Sequence, residues 1–204
     1  MKGACIVLEG NRFSIVVLAG GQSSRMGCDK AALPWENGDI LHNLLLKMLT
    51  LSDDILVVSN ITRNIKLPVR QVPDILMSKG PLSGIHAGLF YARYSRVFVT
   101  ACDTPFLKPE IIPIIVQSLE SQDGAVTVRK GKIEPLLACY RKPCAAIIEE
   151  LIPKEQYSVL RLLDKIHWVP VTCLDELDDC LFTNINTYSD YEKAKLILGR
   201  GKEV

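Results

Sequence analysis

Short apolar runs alternate with helical patterns along most of the chain, and this alternation restricts the fold more than any other feature. The runs at 14–19, 55–59, 96–101, 124–128, 136–140 and 168–172 are β-branched or aliphatic, as strands buried on both faces require. Between them Leu41, Leu44, Leu45, Met48 and Leu49 recur at i, i+3, i+4, i+7 and i+8, which predicts a helix over 39–51 showing one face to a sheet. Ile85, Leu89 and Ala92 suggest another, and Pro109 as a first-turn residue opens a third through about Leu119. Strand and helix in alternation argue for an α/β fold with a mostly parallel, doubly wound sheet. Residues 129–142, RKGKIEPLLACYRK, break the alternation, because a charged loop centred on Gly131 leads directly into a strand, consistent with a hairpin-like insertion rather than a βαβ unit.

With 204 residues, 48% of them hydrophobic, the chain is expected to form a single domain over 1–204, with 1–13 as an N-terminal extension. Lys+Arg 24 against Asp+Glu 23 leaves no global field to draw it onto nucleic acid or an anionic membrane, so any anion site must be local. The run Ala4 to Leu8 is broken by Glu9 and is too short for a signal-peptide core, and no run approaches a membrane span. Cys5, Cys28, Cys102, Cys139, Cys144, Cys173 and Cys180 include no C-x-x-C pair, which fits reduced thiols in the cytoplasm. Cys28 and Cys102 flank candidate site residues but have no activating His nearby, so packing is the expected role. His42, His86 and His167 lack partners of a catalytic or metal-binding pattern, and no role is assigned to them.

The strand Ile15 to Leu18 runs into Ala19, Gly20 and Gly21, where missing side chains let backbone N–H groups approach a ligand. Arg25 and Lys30 follow, two positive charges able to reach the oxygens of a triphosphate. The string is neither a P-loop nor G-x-G-x-x-G, and a glycine pair alone marks only a tight turn. Asp103 follows the strand Val97–Ala101. In open α/β sheets ligands bind at the carboxyl ends of strands, so the glycine turn and Asp103 would share one crevice. From the residue alone Asp103 reads as a cap for a turn or for the helix near 109, though a carboxylate held at a strand end also suits Mg²⁺, which takes one or two protein carboxylates plus substrate phosphates. Asp74, after a short strand near 69–72, reads locally as a turn residue. Ser83 reads as an N-cap of the helix that follows Gly80-Pro81, and Gly84 permits close approach. Asn184 and Asn186 are expected to leave a strand Leu181–Ile185, with Thr187 or Ser189 capping a final helix.

LAGGQSSRMGCDK at 18–30 resembles, position by position, the signature LAGG-x-S-x-RMG-x-DK of the molybdenum cofactor guanylyltransferases. GPLSGI at 80–85 resembles that family's GPLAGI, ACDTPFL at 101–107 its CDTP segment, and NINT at 184–187 its N-x-NTP. The likeness spans about residues 14–195 in matching order. It implies a Rossmann-like three-layer α/β/α nucleotidyltransferase fold. The implied reaction transfers GMP from GTP to the terminal phosphate of molybdopterin-bound molybdenum, releasing pyrophosphate.

The resemblance assigns Arg25, Lys30 and Asp103 to catalysis, with Asp103 as the Mg²⁺ ligand. It assigns Leu18, Ala19, Gly20, Gly21, Lys30, Asn60, Asp74, Gly80, Ser83, Gly84 and Asp103 to the nucleotide. Ser59 is the alternative to Asn60, because the local alignment can slide by one. Asn184 and Asn186 fall to the second substrate, and Glu134-Pro135-Leu136 is similar to a segment near the pterin. Arg141 and Lys142 stay open between an anionic second substrate and solvated strand-end charge. Tyr188 stands where the relatives have Pro. Transient contacts with cofactor-synthesis and acceptor proteins are implied as well. The nearest rivals are a cytidylyltransferase for the same pterin, whose members tend to read LAAG where this chain reads LAGG, and a nucleotidyltransferase acting on another phosphate. A non-catalytic nucleotide-sensing or adaptor domain is a rival of another class, but it would have no need to keep Arg25, Lys30 and Asp103.

Overall fold

Every side chain of Ser14–Leu18 is buried, and the strand it forms is the middle of the parallel part of the sheet. The computed structural model describes residues 12–20, 29–76 and 80–200. In chain order the elements are β1 (Ser14–Leu18), β2 (Pro34–Trp35), β3 (Gly38–Asp39), α1 (Ile40–Met48), β4 (Ile55–Val58), β5 (Arg70–Val72), α2 (Pro81–Tyr91), β6 (Arg96–Ala101), α3 (Ile111–Gln117), β7 (Gly124–Arg129), β8 (Lys132–Arg141), α4 (Cys144–Leu151), α5 (Val159–Leu163), β9 (Trp168–Val171) and α6 (Tyr188–Arg200). Seven strands make one sheet in the order β5-β4-β1-β6-β8-β7-β9. β8 runs antiparallel to both neighbours, and the remaining pairs are parallel.

Side-chain alternation along the strands divides the core into two layers. Ile15, Val17, Ile55, Val57 and Phe98 face α1 and α3. Val16, Leu18, Leu56, Val58 and Val99 face α2, α4 and α5. This is the three-layer α/β/α arrangement expected from the alternation. The helix predicted over 39–51 is α1, capped by Asp39, whose carboxylate accepts from the His42 amide at 2.7 Å. The helix expected from Pro109 begins two residues later, because Pro109 and Glu110 form a turn ahead of it. Among the described residues no helix is long and apolar enough to cross a membrane.

The segment 129–142 is a hairpin: β7 and β8 are joined by Lys130-Gly131, both at positive φ, the geometry of a tight primed turn. Register then slips. Val126 faces Ala138 but Thr127 faces Glu134, so Pro135, Leu136 and Leu137 bulge away from β7. Leu137 pairs with Thr100 near the end of β6, which puts the bulge at the carboxyl edge of the parallel strands.

Two sequence expectations are corrected. Residues 181–185 form no strand; the Asp178 carboxylate accepts from the Cys180 amide at 2.9 Å and starts a short 3-10 turn over Asp179–Phe182. Ser83 is not the N-cap of α2. Gly80 holds that position, and Ser83 lies one turn in, its buried hydroxyl donating to the Gly80 carbonyl at 3.2 Å.

Candidate functional site

The parallel strands β5, β4, β1 and β6 all end on one edge, and the chain leaves that edge through the candidate residues. Leu18 and Ala19 follow the axis of β1 and are held there by flanking strands: the Ala19 amide donates to the Val58 carbonyl, and the Cys102 amide to the Leu18 carbonyl. Gly20 comes next, against Val58 and Ser59. Gly21 and Arg25 lie outside the described residues. The chain is described again at Asp29, which caps a single 3-10 turn, Lys30–Ala32, by accepting from the Ala31 amide.

Asn60 after β4 and Asp74 after β5 are joined reciprocally. The Asn60 amide donates to the Asp74 carboxylate at 3.0 Å, and its carbonyl accepts from the Asp74 backbone at 2.9 Å. Ser59, the alternative to Asn60, is buried and directs its hydroxyl to the Ile61 carbonyl. Gly84 packs so closely on this corner that an added Cβ would sit 3.1 Å from Leu18 and 3.7 Å from the Asp74 carboxylate. Gly80 has φ +151°, a conformation that L side chains rarely adopt, and its α face abuts the Tyr157 carbonyl. Leu18, Gly20, Asn60, Asp74 and Gly84 therefore form one polar corner at the start of α2.

Lys30 and Asp103 stand on the other side of β1. Burial pushes the Asp103 carboxyl upward, the Glu134 charge adds to this, and Lys30 pulls against it. The Asp103 carbonyl accepts from the Ile185 amide at 2.8 Å, so the segment containing Asn184 and Asn186 is pinned beside it. Asn186 accepts from the Lys30 ammonium at 3.1 Å, closing a contact between residues 156 positions apart. Thr187, not Ser189, starts α6. Its hydroxyl accepts from the Asp190 amide while the Asp190 carboxylate accepts from the Thr187 amide, a capping box that works with Tyr188 in place of proline.

A cavity of about 320 Å³ opens beside Asp103, walled in part by Pro81, Glu134, Leu136, Val159, Phe182 and Asn184. The bulge in β8 supplies the Glu134 to Leu137 wall. Phe182 is held from behind by Arg129, whose guanidinium lies 3.6 Å from the ring centre and also donates to Asp179. The motifs named Glu134, Pro135, Leu136 and Asn184 of this wall, but nothing in the sequence pointed to Phe182, Arg129 or the bulge, which come from distant segments. Cys102 shares the neighbourhood, and burial pushes its thiol up to about 12, so it stays a neutral packing group.

Arg141 and Lys142 do not reach this edge. Arg141 pairs with Arg96 at the opposite end of β6 and donates to the Gln122 carbonyl, and Lys142 donates to the Ala92 carbonyl at 2.6 Å. Both hold backbone there, so neither serves a second substrate at the Asp103 edge. Buried His86 shares a hydrogen bond with Glu149 between α2 and α4. Sequence reasoning also passed over Arg63, which lies in the connection from β4 to β5 and donates to the Asp29 carboxylate and the Ala19 carbonyl. A single arginine in a polar loop carries no local sign of such contacts.

Known proteins resemble this chain in sequence and in fold. A molybdenum cofactor guanylyltransferase of Syntrophotalea carbinolica is 37% identical, the match covering 88% of this chain and 89% of the relative. A probable molybdenum cofactor guanylyltransferase of Carboxydothermus hydrogenoformans is 32% identical, covering 88% of this chain and 93% of its own length. The solved structure of molybdopterin-guanine dinucleotide biosynthesis protein A from Archaeoglobus fulgidus superposes with a TM-score of 0.78 at 25% identity, over 92% of this chain and 99% of that one. The Rossmann-like nucleotidyltransferase fold implied by the sequence motifs is therefore the fold of this protein. The family model described as the MobA-like NTP transferase domain matches residues 15–169, a span that runs from β1 into β9 and takes in Lys30, Asn60, Asp74 and Asp103. The chain belongs to the MobA-like NTP transferase family.

Proposed function

We propose that this protein transfers GMP from GTP to the terminal phosphate of molybdopterin-bound molybdenum, forming the guanine dinucleotide cofactor and pyrophosphate. One observation carries the reading. The Lys30 and Asp103 pair lies between the Asn60–Asp74–Gly84 corner on one side and the largely apolar cavity on the other. Two substrates seated in the corner and the cavity would meet at the charged pair. The guanylyltransferase relatives, similar over most of the chain, support the choice of substrates.

The polar corner suits the nucleoside. Asp74 offers a carboxylate to the N–H donors on the edge of guanine, Asn60 orients that carboxylate, and Gly84, lacking a side chain, lets Leu18 and Asp74 close on the start of α2. Leu18, Ala19, Gly20 and Gly21 lie along the nucleotide, and Gly80 and Ser83 fix the start of α2 beside it. Lys30 and Arg25 bind the triphosphate oxygens as cations. The cavity, with Asn184 and Glu134 in its wall and Asn186 on Lys30, takes the pterin.

The acceptor phosphate is already anionic, so its oxygen attacks the α-phosphorus without a general base. The new P–O bond forms as the α–β bridging bond breaks, and the electron pair leaves with pyrophosphate. Catalysis is then positioning plus charge neutralisation. Asp103 fits a divalent cation, assigned here as Mg²⁺: its carboxyl is partly buried beside the cavity with the Glu134 charge nearby, and a cation would relieve both. When bound, Mg²⁺ supplies Lewis-acid charge neutralisation on the phosphate oxygens. The reading carries a cytoplasmic location and transient contact with cofactor-synthesis and acceptor proteins.

Lys30 tests the placement of the triphosphate. Lys30→Ala should weaken GTP by about ten- to a hundredfold, the worth of a charged hydrogen bond, and leave guanosine nearly unchanged. Lys30→Arg should recover only part of the loss, because a planar fork fits a single-point contact poorly. Calorimetric titration of both ligands decides it. Equal losses for GTP and guanosine would move Lys30 off the phosphates.

A further inference from the structure

The Arg63 guanidinium is nearly enclosed, its side chain only 10% exposed, and each of its nitrogens donates to a polar partner. Its Nη1 donates to Asp29 Oδ2 at 2.6 Å and its Nη2 to Asp29 Oδ1 at 3.0 Å, a bidentate pair. Nη2 also donates to the Ala19 carbonyl at 2.9 Å, and Nε to the Ser59 hydroxyl at 3.4 Å. The residue itself is anchored, since its backbone amide donates to the Gln71 side chain on β5, which in turn donates to the Ile61 carbonyl.

These contacts join the end of β1, the end of β4 and the residue immediately before Lys30. Asp29 is also the cap of the 3-10 turn that carries Lys30. The position of the Lys30 ammonium relative to β1 and Asp103 is therefore set through Asp29, and Asp29 is set by Arg63. A planar guanidinium grips both carboxylate oxygens and the Ala19 carbonyl at once, and a lysine in its place could not reproduce the two-pronged contact that fixes the carboxylate's plane.

We propose that Arg63 is a positioning residue for triphosphate binding: it clamps Asp29 to the end of β1 and so holds Lys30 where the nucleotide's phosphates arrive. This rests on the nucleotide-binding reading given above. The alternative for a buried arginine with these contacts is stability alone, with no bearing on which part of the ligand is held.

The two roles separate in a double-mutant cycle read by ligand affinity. Arg63→Met should weaken GTP by about tenfold and leave guanosine unchanged, while in a Lys30→Ala background the same substitution should cost GTP almost nothing more, because the group it positions is gone. Arg63→Lys, which keeps the charge and is the milder variant if Arg63→Met fails to fold, should lose several-fold in GTP affinity with guanosine intact. Equal loss of GTP and guanosine, or a full further loss in the Lys30→Ala background, would reduce Arg63 to a stability role. Wild-type protein that holds guanosine as tightly as GTP would instead overturn the triphosphate reading itself.

Discussion

Asp103→Asn is expected to lower Mg²⁺-supported GMP transfer by about 10²–10³-fold, the usual cost of removing one group that stabilises developing charge. The fold should stand. Burial already disfavours the Asp103 charge, so a neutral amide of the same shape is well tolerated there, and the Ile185 amide is bonded to the backbone carbonyl that the variant keeps. Thermal melts separate loss of chemistry from loss of structure. Pyrophosphate release within a few-fold of wild type would show that Asp103 does not hold the metal.

Asp54→Asn should have the opposite profile, with stability lost and turnover kept. Asp54 is buried at the amino end of β4, across the sheet from the site. Burial alone would push its carboxyl upward. The Ser14 hydroxyl at 2.6 Å, the Arg93 amide at 2.8 Å and the Arg70 guanidinium at 2.6 Å outweigh that and hold it below the usual carboxylate range. Arg70 is half in water and keeps its own solvation, so the loss is that of charged hydrogen bonds to a buried carboxylate, about 1.5–3 kcal/mol. A carboxyl held low in the folded state stabilises above its unfolded pKa, near 3.9, and that contribution drains away as pH falls through the lower folded value. Urea unfolding should therefore show the full gap between wild type and variant at pH 7 and a shrinking gap well below pH 4. A gap under about 1 kcal/mol at pH 7 would mean that the cluster is not the brace described here.

The fold was legible because its signals are local. Leu41, Leu44, Leu45 and Met48 show helical spacing within one segment, and the runs at 14–19 and 96–101 needed no distant partner to read as buried strands. The segment 181–185 misled for the same reason. Leu181 and Ile185 are buried as a strand would bury them, but Asp178 caps a turn there and Arg129, from another strand, holds the Leu177 carbonyl. Ser83 had the chemistry of a cap one turn too late, since Pro81 fits the first helical position and leaves Gly80 outside it.

The candidate site was legible only in its parts. Motifs named Lys30, Asn60, Asp74, Asp103 and Asn186, but no spacing in the chain foretells that Asn60 and Asp74 lock together or that Lys30 bonds Asn186. Those contacts exist because β1, β4, β5 and β6 end on one edge, a property of topology rather than of any window of sequence. Arg63 was hidden more completely. An arginine between two strands looks solvated until its carboxylate partner, 34 positions away, is brought under it.

The central claim is guanylyl transfer, and nucleotide choice during turnover tests it most directly. Purified protein with Mg²⁺ and molybdopterin-bound molybdenum would be given GTP, CTP or ATP in parallel, with pterin dinucleotide and pyrophosphate measured together. The account predicts that GTP yields both products in equal amounts while CTP and ATP yield little of either. Equal dinucleotide formation from CTP, or pyrophosphate release from no nucleotide at all, would contradict it.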